Sequence, residues 1–219
     1  DAELEFYNSD GSGSDACGNG TRCVAYLLSK EKNTKNISVQ VGSKQLNSKL
    51  LDDGQVETII GVPKTNWNEI PLSKKLDTKN LGIIIEDINN QEVSGGIAIN
   101  VGNPHTIFFV NEIENFSIEK IGPEIENHKL FPERCNFTLA QKINKNHYRV
   151  KVWERGAGLT KACGTAACAT AVAANLENLR NSRTEIEFSL GKLIISIDEN
   201  KQIHMKGPVS TIKEIDINI

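Results

Sequence analysis

Short runs in which apolar and polar residues alternate, or in which β-branched residues cluster, dominate the chain. Such runs are typical of β-strands, because successive side chains of a strand point to opposite faces of the sheet. Turn-forming residues separate many of them, as at Asp52–Gly54, Asn144–Asn146, Gly191 and Asn200. The predicted strands are Ile37–Val41, Lys44–Leu51, Gln55–Val62, Gly96–Gly102, Thr106–Val110, Asn136–Ile143, His147–Trp153, Thr184–Leu190, Leu193–Asp198, Gln202–Lys206 and Ser210–Ile219.

Three segments have helical patterns instead. The spacing of apolar residues predicts helices over about 18–31 and about 164–179. Ser117 is placed to cap a shorter helix that ends near His128 and is interrupted by Gly122-Pro123. The first and third helices are apolar nearly all round, which is typical of helices buried in a core. Since strands outnumber helices, the pattern predicts an α/β (α+β) fold of two pseudo-symmetric domains, each a curled mixed β-sheet wrapped around a central helix.

The stretch from Gly61 to Pro71, which contains two prolines and few periodic residues, is the best candidate for a linker. It predicts one domain over 1–61 plus 208–219 and a second over 62–207. The first of these holds only one helix and about four strands, too few to cover its apolar faces. We therefore expect the last strand, Ser210–Ile219, to cross back and pack with the first half.

Composition excludes several classes of function. The 219 residues carry a net charge of −3, so there is no electrostatic footprint for nucleic acid, and no apolar run is long enough to span a membrane. The five cysteines are an odd number and do not resemble a disulfide framework, which favours a reducing, cytoplasmic location. Their spacings lack a CxxC knuckle and a histidine pair, so no metal site is expected.

A cysteine arrangement that occurs twice gives the strongest indication of chemistry. Cys17-Gly18 and Cys163-Gly164 each follow a β-type run that ends in a polar residue nine positions earlier, and each leads directly into an apolar helix. This pattern places both thiols at helix N-termini, where the helix dipole lowers a thiol's pKa and attracts anions. Two such thiols on two similar halves are the geometry needed to remove a proton from one face of a carbon and return it to the other.

The blander interpretation of a free cysteine is a small buried hydrophobe. For Cys17 and Cys163 the glycine that follows at a predicted helix start favours reactivity. For the other three cysteines the balance reverses. Cys23 and Cys168 fall inside the apolar helices and are predicted to be core residues, whereas Cys135 is predicted to lie in a loop.

Four sequence blocks in order resemble the signatures of the diaminopimelate epimerase family. They are Phe6–Cys23, Gly102-Asn103-Pro104-His105, Asn136, and Trp153–Cys168. The resemblance spans the chain from Phe6 to the last predicted strand. It implies a cofactor-free enzyme of two pseudo-symmetric α/β domains with the site in the cleft between them. Diaminopimelate would be its small-molecule substrate, with no nucleic-acid or membrane partner, and a homodimer is compatible with it.

The chemistry of the site can also be argued from the residues. No motif for a phosphate or a flavin is present, so the carbanion must be stabilised electrostatically. We expect the backbone N–H groups at Gly18-Asn19 and at Gly164-Thr165 to bind the substrate's α-carboxylate. Cys17 and Cys163 would be the two bases, one a thiolate and one a thiol at any moment. The family resemblance implies that Cys163 accepts and Cys17 donates the proton in the LL-to-meso direction.

Polar residues in the same blocks are candidates for supporting roles. His105 could orient a catalytic thiol or simply be a satisfied histidine at a strand start, and the resemblance favours the catalytic role. Glu154 occupies the position that matches Asn8, nine residues before its cysteine, and we expect it to bind the substrate's ammonium group and help set thiol protonation. Arg155 suits the distal carboxylate. The remaining candidates, for the distal amino-acid end, are Asn8, Asn103 and Asn136.

Two alternatives stay open on the sequence alone. A proline or hydroxyproline racemase of the same fold is one, but proline has no distal carboxylate for Arg155 to hold. A non-catalytic ligand-binding fragment is the other, because the family has further strands ahead of Phe6 that carry an Asn and a Gln in contact with the substrate. The loop residues Gly13–Ala16, Leu159, Lys161 and Ala166 also depart from common family versions.

Overall fold

The computed structural model describes residues 1–7, 13–14 and 18–210. The candidate residues Asn8 and Cys17, and the predicted last strand beyond Ser210, lie outside the described residues. Val209, just before that segment, packs against the hydrophobic cluster around the first helix. The prediction that the last strand returns to the first half stays a prediction.

Sixteen strands and three α-helices make up the described part of the chain, together with a 3-10 turn at Ile113–Asn115. The helices are α1 (Gly18–Glu31), α2 (Ile118–Glu126) and α3 (Gly164–Ala174). The strands are β1 (Ala2–Leu4), β2 (Phe6–Tyr7), β3 (Gly13–Ser14), β4 (Asn36–Val41), β5 (Lys44–Leu50), β6 (Val56–Gly61), β7 (Ile83–Glu86), β8 (Glu92–Gly95), β9 (Ile97–Asn100), β10 (Pro104–Val110), β11 (Asn136–Asn144), β12 (His147–Glu154), β13 (Gly158–Thr160), β14 (Ser182–Phe188), β15 (Gly191–Ile197) and β16 (Ile203–Gly207).

Twelve strands form one mixed sheet in the order β1-β4-β5-β6-β16-β15-β14-β12-β11-β10-β9, with β13 paired to β12. The fold is therefore of the mixed α+β type and dominated by its sheet, as the sequence pattern predicts. The first strands of the chain join the rest through the antiparallel pairing of β6 with β16. The division into two domains at residues 61–62 stays a prediction.

Helix α3 is buried on all sides, whereas α1 is not. Every residue from Gly164 to Ala173 is buried, in a cluster formed with strands of the second part of the sheet. On α1 the buried positions are Thr21, Arg22, Ala25 and Ser29, and Cys23 is exposed. The expectation of a fully buried first helix with Cys23 in the core was wrong. Helix α1 is apolar only in its middle, and its packing against β4–β6 buries a side that is polar apart from Ala25.

A second cluster fills the opposite face of the sheet. It includes α2 and the hairpin β7–β8, in which Ile83 and Ile85 are buried and the intervening Ile84 is exposed. The stretch 61–71, which the sequence suggested as a linker, contributes Ile70 to this cluster, where it is fully buried. The connection is thus part of the packed structure, and Pro71 lies in a turn within it.

Helices α2 and α3 differ in detail from the predicted ones. Helix α3 ends at Ala174, five residues early, because the amide nitrogen of Asn175 donates to the Ala171 carbonyl at 2.8 Å and to the Thr184 hydroxyl at 2.9 Å. Helix α2 continues through Pro123, and Ser117 precedes it without a side-chain capping bond. Within the described residues, none of the helices has the length and apolar character needed to cross a membrane.

Candidate active site

Three neighbouring strands bring three of the predicted site residues to one edge of the sheet. Strands β10 and β11 run parallel with His105 opposite Asn136, and β11 pairs with β12 so that Phe137 lies opposite Trp153. His105, Asn136 and Glu154 therefore occupy adjacent positions where β10 and β11 begin and β12 ends. These residues are 18 or more positions apart in the sequence, and the register of strand pairing alone brings them together.

Asparagine side chains fix the backbone around this edge. The amide nitrogen of Asn136 donates to the carbonyl of Pro104 at 3.0 Å, and its oxygen accepts the backbone N–H of Arg155 at 3.0 Å. The oxygen of Asn103 lies 2.9 Å from Nε2 of His105. Asn136 thus links the strand that carries His105 to the turn that carries Arg155.

His105 is fully buried, and it is held neutral. Burial, and to a lesser degree the nearby Arg155 guanidinium, lower the pKa of His105 to about 3. With Nε2 engaged by Asn103, the other ring nitrogen, Nδ1, has no hydrogen-bond partner among the described residues. A neutral ring with Nε2–H donated to Asn103 leaves Nδ1 as an acceptor at this edge of the sheet.

The lowered pKa of His105 predicts a loss of stability in acid. Below the unfolded-state pKa of about 6.5 the unfolded chain binds a proton that the folded protein does not bind, so stability falls as pH decreases toward 3. Between pH 6.5 and 5 we expect the free energy of unfolding to fall by about 2 kcal/mol from this histidine. Denaturant titrations of the protein and of His105→Gln across this range measure it. Equal pH slopes for both would contradict the assignment.

Cys163 lies where the sequence pattern places it, at the N-terminal cap of α3. Its carbonyl accepts the first helical bond, from the N–H of Ala167 at 3.1 Å. Its thiol donates to Oε2 of Glu154 at 3.0 Å, and the hydroxyl of Thr165 lies 3.4 Å from the sulfur. The predicted partners Cys163, Glu154 and Thr165 are therefore in direct contact.

The protonation of Cys163 differs from the sequence-based expectation. Burial raises its pKa most, and the charge of the Glu154 carboxylate raises it further, while the Thr165 hydroxyl and the Ala166 N–H lower it less. The net effect is a raised pKa, although a helix N-terminus alone would lower it. The effect of the helix dipole on the pKa of Cys163 is outweighed here, because the thiol is buried beside a carboxylate. Cys163 is consequently a thiol, and its hydrogen is directed at Glu154.

The N-terminus of α1 lies against that of α3. A Cβ built on Gly164 would lie 3.4 Å from the Cα of Gly18, and one built on Gly18 would lie 2.8 Å from Cε of Met205. A side chain at either glycine would touch the other helix at an ordinary contact distance, but it would collide with the Met205 thioether unless that side chain moved. Asn19 accepts a hydrogen bond from the Arg22 guanidinium at 3.0 Å, so its side chain is tied to its own helix.

Sequence reasoning missed Glu126, the last residue of α2. Its carboxylate is buried and accepts three hydrogen bonds: from the Trp153 indole at 2.8 Å, the Gly156 N–H at 2.9 Å and the Arg134 guanidinium at 2.9 Å. Trp153 and Gly156 flank Glu154 and Arg155, so one carboxylate holds the chain on both sides of them. The signal in the sequence was the spacing of Glu126 from Ile118 and Ile125, which puts it on the buried face of α2.

Gly122 explains how α2 reaches this position. A Cβ at residue 122 would lie 2.4 Å from Cδ2 of Trp153. The indole therefore packs directly on the helix backbone, which brings Glu126 within reach of the Trp153 N–H. The residue that the sequence suggested as a helix interruption instead allows close contact.

Arg155 and two further cysteines make other contacts. Arg155 donates from Nη1 to the Glu133 carbonyl at 2.9 Å, which holds its guanidinium beside the turn after β12. Cys135 and Cys168 are buried, with raised pKa values caused mainly by burial. In the described part of the chain, no three His, Cys, Asp or Glu side chains converge as metal ligands would.

Comparison with known proteins places the chain among the epimerases. The fold is shared with a solved hydroxyproline epimerase from Agrobacterium vitis, at a TM-score of 0.65 and 11% identity over 94% of this chain and 67% of that one. The sequence model described as diaminopimelate epimerase matches residues 97–212. The diaminopimelate epimerase of Pelagibacter ubique is 66% identical over 100% of this chain and 80% of its own length. That of Acidiphilium cryptum is 38% identical over 99% of this chain and 76% of its own. The chain belongs to the diaminopimelate epimerase family.

Proposed function

We propose that this protein interconverts LL- and meso-2,6-diaminopimelate by a two-base mechanism that uses Cys17 and Cys163 and no cofactor. The observation that carries the proposal is the contact of the Cys163 thiol with Glu154 at the start of α3, whose Gly164 lies against Gly18. Gly18 directly follows Cys17 in the chain. The choice of diaminopimelate as the substrate rests on membership of the family.

The protonation states of the side chains in the site indicate the order of the proton transfers. Cys163 begins as a thiol, so before it can act as a base its proton passes to the Glu154 carboxylate, 3.0 Å from the sulfur. The resulting thiolate takes the α-proton of the substrate and becomes a thiol again. Cys17, as a thiol, then delivers its proton to the opposite face of the carbanion and is left as a thiolate. The reverse reaction begins at Cys17, and it ends with a proton from Cys163.

The charge that develops at the α-carbon and carboxylate needs fixed donors, because no electron sink is proposed. The N-termini of α1 and α3 meet at Gly18 and Gly164, so their first N–H groups and dipoles converge on one place. We assign the α-carboxylate to this place, with the N–H groups of Asn19 and Thr165 beside those of the glycines. Preorganised donors of this kind stabilise the carbanion without reorganisation during the reaction.

The turn after β12 is assigned to the rest of the substrate. Glu154 would bind the α-ammonium group, and Arg155 the distal carboxylate through its guanidinium. Asn136 positions Arg155 by accepting its N–H, and Asn103 positions His105, in addition to the contacts with the distal amino-acid end expected of both. Asn8 completes this set on sequence grounds. His105, whose Nδ1 is without a hydrogen-bond partner among the described residues, would orient a catalytic thiol.

Deuterium exchange tests the substrate and the mechanism together. In D₂O the protein should convert LL-diaminopimelate to the meso form and leave one deuterium at the inverted carbon, observed by proton NMR. L-proline and trans-4-hydroxy-L-proline, offered in parallel, should keep their α-protons. Exchange with proline and none with diaminopimelate would favour the racemase alternative. Binding of diaminopimelate by calorimetry without any exchange would favour a non-catalytic protein.

The cellular setting is part of the same proposal. The cysteines of the described part, Cys23, Cys135, Cys163 and Cys168, are free thiols, which suits a reducing cytoplasm. A homodimer is proposed from the family resemblance, and sedimentation of the purified protein tests it.

A further inference from the structure

We infer that Thr160 is a positioning residue for the Cys163 thiol and that it acts through Glu154. The hydroxyl of Thr160 donates to Oε1 of Glu154 at 2.5 Å, while the other oxygen of the same carboxylate accepts the thiol hydrogen of Cys163 at 3.0 Å. The inference rests on the proposed function for its meaning in turnover, but the contact itself and its effect on the thiol can be tested without a substrate.

The short strand β13 delivers this hydroxyl. Strand β13 pairs with β12 so that Val152 lies opposite Thr160 and Glu154 lies opposite Gly158. Residues 158 and 160 therefore share a face with residues 152 and 154, and Thr160 is the diagonal neighbour of Glu154. In the described part of the sheet, β13 is a side branch whose ladder is with β12. This pairing places Thr160 beside the end of β12.

The hairpin turn is shaped for this return. It runs through Gly156 and Gly158, whose φ angles are +76° and +77°, a conformation that favours glycine. The N–H of Ala157 closes the turn on the Glu154 carbonyl at 3.1 Å. Glu126 holds the same turn from outside through the N–H of Gly156. The backbone of Glu154 is thus fixed, and Thr160 fixes its carboxylate.

A carboxylate that accepts a hydrogen from sulfur has to keep one oxygen aimed at that sulfur. Glutamate has three rotatable side-chain bonds, and ordering such a side chain costs conformational free energy. A hydroxyl bonded to one oxygen offsets part of this cost and leaves the other oxygen directed at Cys163. Without the hydroxyl, the half-buried carboxylate is free to turn toward solvent.

The surroundings of the thiol give the direction of the expected change. From β12, the Glu154 charge raises the pKa of Cys163; from α3 itself, the Thr165 hydroxyl and the Ala166 N–H lower it. Glu154 is the charged side chain of the described elements that acts on this sulfur. If its carboxylate turns away, the pKa of Cys163 falls and the thiol ionises more readily, while the base that should receive its proton is lost.

The experiment compares Thr160→Val, which removes the hydroxyl at constant shape, with Thr160→Ser, which keeps it. The pH dependence of alkylation by iodoacetamide is followed for Cys163 by mass spectrometry, without diaminopimelate. Below the raised pKa of Cys163 the rate of alkylation follows the thiolate fraction, so at each pH we expect this rate to rise about tenfold in Thr160→Val, a profile shifted by about one pH unit, and to stay at the wild-type value in Thr160→Ser. Cys168 is buried in α3 and should remain unmodified as long as the protein is folded. Exposed Cys23 should react in every variant, which shows that the reagent is active.

Turnover provides the second measurement. In Thr160→Val we expect kcat for diaminopimelate to fall about tenfold while KM changes by less than about threefold, and Thr160→Ser to restore kcat. This combination, a more readily ionised thiol in a slower enzyme, is not produced by general destabilisation. If Cys168 becomes reactive in Thr160→Val, Thr160→Ala replaces it with the same expectations.

The outcomes separate the two proposals. A shifted Cys163 profile in a protein that does not exchange diaminopimelate would support the role of Thr160 and overturn the proposed function. An unshifted Cys163 profile with Cys168 protected would overturn the role of Thr160, whatever the activity. A tenfold loss of kcat without a shifted profile would also overturn it, because the hydroxyl would then act on something other than the thiol.

Discussion

Replacing Cys163 by alanine is expected to lower the rate of epimerisation at least about 1,000-fold, because it removes one of two proton carriers. In the proposed mechanism the thiol exchanges a proton with Glu154, whose Oε2 lies 3.0 Å from the sulfur, and no neighbouring hydroxyl can take its place as a base. Thr165 is 3.4 Å from the sulfur, but an alcohol is a far weaker acid than a thiol. The measurement is the rate of conversion of LL- to meso-diaminopimelate, followed by NMR in D₂O.

Two further variants make the result interpretable. Cys17→Ala should cause a loss of the same order, since each thiol serves one face of the substrate. Cys23→Ala is the matched control: this cysteine is exposed on α1, and turnover should stay within about twofold of the wild type. A folded Cys23→Ala protein without activity, or a Cys163→Ala protein that still epimerises at a comparable rate, would show that the cysteines are assigned wrongly.

Glu126→Gln is expected to lower the free energy of unfolding by about 3 kcal/mol. The carboxylate accepts bonds from Trp153 on one oxygen and from Gly156 and Arg134 on the other. An amide keeps one of these oxygens and replaces the second by an NH₂ group, which then faces a donor. The loss should appear in urea denaturation, and substrate binding should weaken as well, because the segment that carries Glu154 and Arg155 is released on one side.

Arg134→Met is the control for the charge of this pair. The Arg134 side chain is 53% exposed, so removing its ion pair should cost at most about 1 kcal/mol. The bonds to Trp153 and Gly156 remain in this variant, and KM should be unchanged. Equal losses of stability in Glu126→Gln and Arg134→Met would mean that the ion pair, and not the support of the turn, explains the role of Glu126.

The strands were the most predictable part of the fold. Ten of the eleven predicted strands lie within two residues of observed ones. Strands with one buried face, such as β14, alternate apolar and polar residues, whereas β10, which is buried on both faces, was recognised from its cluster of β-branched and aromatic residues. The hairpin β7–β8 was missed: its run of three isoleucines does not alternate, although Ile84 is exposed between two buried neighbours. The face that α1 buries was also unpredictable, since it depends on the strands against which the helix packs.

The candidate site divides in the same way. Cys163, Glu154 and His105 could be singled out as candidates because they lie in motifs with a fixed position relative to a helix or strand end. Glu126 and Thr160 were not singled out. Helical spacing places Glu126 on the buried face of α2, but its contact with Trp153 of β12 and that of Thr160 with Glu154 across a hairpin are not encoded by a local pattern. The protonation of Cys163 was predicted in the wrong direction for the same reason. Burial and a neighbouring carboxylate are properties of the packed structure, whereas the helix start is visible in the sequence.

The contact between Gly18, Gly164 and Met205 has a consequence for protein engineering. A side chain introduced at either glycine meets the thioether of Met205 first, at 2.8 Å from its Cε for position 18 and 3.0 Å from its Sδ for position 164. The thioether is the flexible wall of this junction, and the opposing wall is helix backbone. Positions 18, 164 and 205 therefore behave as one design unit. A single substitution at either glycine would be accommodated only as far as the Met205 thioether can move, whereas a library that shortens residue 205 while enlarging a glycine would sample new shapes of the proposed carboxylate site.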